Sequence, residues 1–287
     1  MTNRILTCIS ACASLALPLL AQQAPKPKSQ KEVEALQKVQ TAAQLAHACD
    51  NPGVSGVITS PAKCTPAYRA QYYDAEIQAI NYVLENFTDT EYKPLLLSMA
   101  VEAAQDKGDY AQSVAFGEQA IQADPNTITA RVYLAENIAQ HTRENDLDKE
   151  ASLKKVDDYA NKALDLLKTA DTPPMGTAPD QWPALKKQLT SQAYDALGQA
   201  ADLRKKYPDA IQDEKSAIDS EPTNPVPIAR LAKMYLDAKQ YDDAISTADK
   251  VLAMNDAPAS VKQFAQSQKD AATKMKTAAP ASPSAPK

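Results

Sequence analysis

The sequence predicts an all-α chain, a solenoid of stacked antiparallel helix pairs. Three observations predict it. Apolar residues recur at helical spacing from Gln30 to Lys276, as in helices that bury one face. Glycine is scarce, with six among 287 residues, where the usual share of about 7% would give roughly three times as many. Sheet-rich folds and phosphate-cradling loops both use glycine in their turns, so both are disfavoured. Third, a pattern returns after 34 residues: Leu197, Tyr207, Ala210 and Ala217 are followed by Leu231, Tyr241, Ala244 and Val251. A helix–turn–helix unit of that period cannot bury its apolar face alone and has to stack on its neighbours.

The elements follow in order. Val33, Leu36 and Val39 give a helix over 30–48, and Ile77, Ile80, Val83 and Leu84 one over 67–87. Gly108-Asp109 separates helices at 91–106 and 109–123, and Asp124-Pro125-Asn126 precedes one at 127–141. Val156 to Leu167 marks the next, over 145–170, before a proline-rich connector from Thr172 to Pro183. Helices at 182–206 and 208–220 lead to Glu221-Pro222-Thr223-Asn224-Pro225. Two more, 224–238 and 241–254, end at Asn255-Asp256-Ala257-Pro258. The last, 258–276, carries Lys262, Gln266, Lys269 and Asp270 and is expected to cap the array with a polar outer face. No stretch alternates as a strand.

The ends read differently. Residues 1–21 have the form of an export signal: Arg4, an uncharged apolar run from Ile5 to Leu20, then Ala21 as the cleavage residue. The run is short for a membrane span of about 20 apolar residues. The chain is therefore expected to be periplasmic or secreted, with no transmembrane span once the signal is removed. The alternatives are an uncleaved amino-terminal anchor and lipidation at Cys12, after Ile9-Ser10-Ala11. Residues 22–29 read as a flexible linker and 277–287, rich in Ala, Pro and Ser, as a disordered tail, since neither can bury enough surface to offset its ordering entropy.

Of four cysteines, Cys8 and Cys12 lie in the signal. Cys49 and Cys64 flank a segment containing Asn51, Pro52, Gly53, Gly56 and Pro61. In an exported protein this pair is expected to form a disulfide, and closing a loop of about 15 residues contributes around 3 kcal/mol on the chain-entropy model. Zinc on His47, Cys49 and Cys64 is the alternative, but it lacks a fourth ligand at regular spacing.

Tyr194-x-x-Leu197-Gly198, followed by Ala210, Ala217 and Pro222, resembles the repeat unit of the tetratricopeptide-repeat family. The next unit offers Ile228, Leu231, Ala232, Tyr235, Ala244 and Ala248, and an upstream one Leu97, Ala100, Gly108, Tyr110, Ala120 and Pro125. Glu214 and Ala248 stand where an aromatic is common, and Ala201 replaces a tyrosine. The resemblance, to an exported bacterial member, implies a right-handed solenoid. It would have an amino-terminal helix pair over 30–93, closed by the disulfide loop, then repeats over 94–258 and a capping helix over 259–276. Residues 128–190 are too long for one unit and are expected to hold a pair with lengthened helices.

The resemblance also implies a function. In this family the first helix of each pair lines the concave face, which commonly binds peptide or protein segments. Here it would present Ser98, Glu102 and Gln105; Thr129, Val132, Tyr133 and Glu136; Asp195, Gln199 and Asp202; and Ala229, Lys233 and Leu236. Four acids against Lys233 favour a polar or basic partner segment, unless they form only a solvated face. The tyrosines Tyr110, Tyr207 and Tyr241 are expected to pack between helices, and His141 to cap a helix end or be solvated.

Other classes are disfavoured. With 31 basic against 36 acidic residues, net −5, the chain lacks the basic face of a nucleic-acid binder. No Gly-x-Ser-x-Gly, Walker, Rossmann or His-Glu-x-x-His motif occurs. Two histidines, His47 and His141, leave few acid–base groups. A non-catalytic scaffold or adaptor of the cell envelope, without cofactor or metal, is the expectation. An envelope-assembly or secretion factor acting near the outer membrane is the alternative, and a hydrolase with an unrecognised carboxylate site a more distant one. Two buried carboxyls of shifted pKa in one cleft would mark the hydrolase.

Overall fold

The computed structural model describes residues 25–48 and 64–278. Among these there are eleven α-helices and no strand: α1 (Gln30–His47), α2 (Pro66–Asn86), α3 (Lys93–Lys107), α4 (Tyr110–Ala123), α5 (Ile128–His141), α6 (Lys149–Thr169), α7 (Trp182–Leu203), α8 (Tyr207–Ser220), α9 (Pro225–Asp237), α10 (Tyr241–Ala253) and α11 (Ala259–Ala278). The chain divides into two compact units whose boundary, between Leu189 and Thr190, falls inside α7.

In the first unit α1 packs on α2, α3 on α4 and α5 on α6, and each pair packs on the next. One cluster of Val39, Ile77, Ile80, Leu97, Val101 and Phe116, with others, runs through the first four helices to Tyr133 of α5. Burying side chains of this size contributes about 1.5–3 kcal/mol each. Residues 25–29, read from composition as linker, are tied to the α2–α3 turn. Lys28 Nζ meets Asp89 Oδ2 at 2.9 Å, Thr90 Oγ1 donates to the buried Glu32 at 2.7 Å, and Ser29 caps α1. Between Thr127 and Thr190 only α6, with 21 residues, is lengthened; α5 keeps an ordinary 14.

In the second unit α8 packs on α9, α9 on α10, and α11 lies against both α9 and α10. Ala201 of α7, Ala210 and Ile211 of α8, and Leu231 and Met234 of α9 form one cluster. Alanine there lets the helices close up, and Leu231 and Met234 fill the space beside it.

The repeat is clearest in the turns. After α3, α7 and α9 one residue takes a left-handed conformation: Gly108 (φ 85°), Lys205 (φ 60°) and Lys239 (φ 62°). The next amide then reaches back over the helix end: Asp109 N to Ala104 O (2.8 Å), Lys206 N to Ala201 O (2.9 Å) and Gln240 N to Tyr235 O (2.8 Å). This pattern satisfies orphan carbonyls at a helix terminus and reverses the chain tightly. A tyrosine then opens each following helix: Tyr110, Tyr207 and Tyr241.

Candidate functional site

In the second unit two first helices, α7 and α9, face each other through charged side chains. Asp195, Gln199 and Asp202 fall one turn apart on α7. Arg230, Lys233 and Asp237 do the same on α9. Arg230 pairs with Asp195, whose side chain is only 4% exposed, and Gln199 Nε2 donates to the same carboxylate at 3.0 Å. Lys233 Nζ lies 2.5 Å from both Asp202 and Asp237. Burial pushes Asp202 above the ordinary aspartate range despite the opposing pull of Lys233. Burial works against the Lys233 charge, yet its bonds to Asp202 and Asp237 hold its pKa above the usual lysine value.

Behind this row sits Glu214 of α8, fully buried. Gly198 makes room for it: a Cβ there would lie 2.8 Å from Glu214 Oε2 and 3.3 Å from the Ala210 carbonyl oxygen. Burial, then the neighbouring Asp195 carboxylate, raises the Glu214 pKa well above the glutamate range, and Arg230 opposes this only in part.

In the first unit the corresponding face is quieter. Ser98 Oγ donates to the Pro94 carbonyl of its own helix at 3.0 Å, and Gln140 Nε2 donates to Glu136 at 3.0 Å. Val132, Tyr133 and Glu136 are all buried, Val132 completely, so Val132 serves the packing. Glu102 is half-buried beside Glu76. Burial, then Glu102 and Asp106, pushes Glu76 to about 8, and His47 Nε2 stands 3.9 Å from its carboxyl.

Residues 203–266 match the family model for the tetratricopeptide repeat. That segment carries the tetratricopeptide repeat. None of the curated proteins compared with it matches. A thermophilic tetratricopeptide-repeat protein of Thermus thermophilus superposes with a TM-score of 0.52 at 16% identity, covering 70% of this chain and 93% of its own. A MamA chain from Desulfovibrio magneticus gives 0.44 at 15% identity, covering 76% of this chain and 94% of its own. The first of these shows the fold.

In the repeat frame, the structure brings Asp195, Gln199, Asp202 and Lys233 into one network and places Ser98, Glu102, Val132, Tyr133 and Glu136 in the other unit. Cys49 lies outside the described residues, so its pairing with Cys64 stays an expectation, as does the export signal over 1–21. Arg230 and Asp237 complete the network and are absent from the sequence reading. Arg230 could have been found: it lies one repeat period plus one residue after Asp195, on the helix that faces it. His141 is exposed in the last turn of α5. It stacks on Tyr110 with ring centroids 4.3 Å apart, its Nδ1 2.8 Å from the Asn137 carbonyl oxygen.

The two strongly shifted carboxyls, Glu76 and Glu214, belong to different units. The groove of about 470 Å³ between α1 and α2, lined by Lys38, Thr41, Leu45, Tyr72 and Ala75 among others, contains neither. Among the described residues no group of three or more His, Cys, Asp and Glu side chains is arranged to hold a metal, and no helix is long and apolar enough to cross a membrane.

Proposed function

We propose that the chain is a non-catalytic scaffold that binds a segment of another protein along the face formed by its first helices. The observation that carries this reading is the facing of α7 and α9 across Asp195, Gln199, Asp202, Arg230, Lys233 and Asp237. It is a polar row carried by the first helices of two successive pairs, in a repeat type whose first helices bind polypeptides. Arg230 and Lys233 already answer carboxylates, so the row is charge-compensated rather than acidic. That favours a polar partner segment carrying both signs over a strongly basic one. Lys233, with 41% of its side chain exposed, is the member best placed to exchange partners with an incoming carboxylate. The apolar run Ile5 to Leu20 supports a working place in the cell envelope.

Photo-crosslinking residues test the face directly. Installed at Gln199 and Lys233, they are expected to trap a partner in envelope preparations. At Gln212 of α8 and Lys154 of α6, both exposed on second helices, they are expected to trap none. Equal trapping from both sets rejects the proposed face. Recovery of the chain in the cytoplasmic fraction rejects the envelope while leaving the face intact.

A further inference from the structure

The Glu214 carboxyl is sealed inside the second unit with nothing that donates to it. Among the described residues, neither of its oxygens has a hydrogen-bond partner, and neither does Asp195 Oδ1 beside it. The other Asp195 oxygen, Oδ2, is occupied by Arg230 and Gln199. The charged groups facing Glu214 are Asp195 and Asp202 from α7 and Arg230 from α9. One guanidinium already committed to Asp195 cannot also balance a second carboxylate. An unpaired carboxylate in such a place costs several kcal/mol. Two buried acids side by side have one cheap solution, which is to hold a single proton between them. Gly198 shows that the chain is shaped for this contact, since any side chain there would displace Glu214.

We propose that Glu214 and Asp195 share one proton, with Glu214 the protonated member, and that this proton latches α8 onto α7 and α9 until rising pH removes it. The hydroxyl of the Glu214 carboxyl donates to Asp195 Oδ1, which pairs two of the three orphaned oxygens. When the proton leaves to solvent, two carboxylates face one arginine and the contact between α8 and its neighbours loosens. The latch is a property of the isolated protein and does not depend on the partner face proposed above.

Two measurements on the full chain test it. In the first, carboxyl carbon resonances are followed by NMR through a pH titration of the wild type. Glu214 is expected to be protonated at neutral pH and to lose its proton as the pH rises; an ionised Glu214 at neutral pH overturns the proposal. In the second, amide exchange in α8 is measured from about pH 5 to about pH 9, corrected for intrinsic base catalysis. Wild-type α8 is expected to lose protection tenfold or more as the pH rises, while α4 of the other unit does not follow it. Glu214→Gln, whose amide donates to Asp195 at every pH, is expected to hold α8 protection constant. The same pH response in Glu214→Gln as in the wild type overturns the proposal.

Discussion

Aligning Tyr110 at the head of α4 with Tyr207 at the head of α8 sets two repeats side by side, and the same positions carry inverted side chains. Gly117 stands opposite Glu214, and Val101 opposite Gly198. A Cβ on Gly117 would come within 2.5 Å of Leu134, whereas a Cβ on Gly198 would strike Glu214 itself. Each layer therefore holds one glycine within its helices, on the second helix in the first case and on the first helix in the other. The inner faces differ in the same way: Ser98 and Tyr133 occupy the positions of Asp195 and Arg230, and Glu136 with Gln140 those of Lys233 with Asp237. The backbone turn is the same in both. The repeat fixes where space must be left, not which helix leaves it or with what chemistry the remaining gap is filled.

The largest effect expected from this contrast is in pH dependence, because each unit buries an acid whose pKa is strongly raised. For Glu76, raised to about 8, the folded state keeps a proton that the unfolded chain gives up. Its stabilisation is complete below about pH 4.5 and lost as the pH climbs through about 8. With 1.36 kcal/mol per pKa unit, the loss has an upper limit on the order of 5 kcal/mol. Urea unfolding of wild type and Glu76→Gln across this range is expected to show the falling trend in the first and a flatter one in the variant. A wild type whose stability rises from pH 5 to pH 8 in the first unit would contradict the buried, protonated Glu76.

Next in size is the ion pair that only the second unit has. Asp195→Ala leaves Arg230 partly buried without its carboxylate, for an expected loss of about 3 kcal/mol. Ser98→Ala, at the matching position in the first unit, is expected to change stability by under about 0.5 kcal/mol. Similar effects at the two positions would erase the difference between the faces. The double mutant Asp195→Ala with Arg230→Ala should recover part of the loss, since it removes both members.

The packing contrast is smaller. Gly117→Ala gains about 1 kcal/mol of helix propensity but drives a methyl group into the fully buried Leu134. Overpacking of this kind costs about 1–3 kcal/mol, so a net destabilisation of about 1 kcal/mol is expected in thermal or urea unfolding. Leu134→Ala in the Gly117→Ala background would relieve the clash and separate crowding from propensity.

Much of the fold was legible because its punctuation is local. Gly108, Asp124-Pro125 and Glu221-Pro222 mark chain reversals wherever they occur, and the helix spans follow from them to within a few residues. The expected spans 127–141 and 145–170 already made α6 the longer of the two, whereas the expectation that both helices are lengthened does not hold for α5. The candidate face was legible only in part. Asp195, Asp202 and Lys233 come out of the repeat frame. Arg230 sits between Ala229 and Leu231, in a stretch that reads as packing. Its pairing depends on the phase between two helices a full repeat apart. Residues 132–139 are all buried, so Val132 and Glu136 sit on a helix covered all round, which one-sided apolar spacing does not anticipate. Glu214 was visible as a departure from the aromatic pattern, but its cradle depends on Gly198 approaching from another helix.

The smallest effect tests the turn that both regions share. Gly108 adopts φ 85° without a Cβ, whereas Lys205 and Lys239 hold φ 60° and 62° with one. A left-handed residue that is not glycine is strained by about 1–2 kcal/mol, partly offset by the greater entropy glycine loses on folding. Lys239→Gly is therefore expected to stabilise the second unit by about 0.5–1 kcal/mol, read as a higher urea midpoint at unchanged slope. Gly108→Lys should cost the first unit a similar amount, since nothing lies within 4 Å of the position and only the backbone strain changes. If Lys239→Gly destabilises instead, the lysine side chain contributes more than its backbone strain removes, and the three turns are alike in geometry but not in energy.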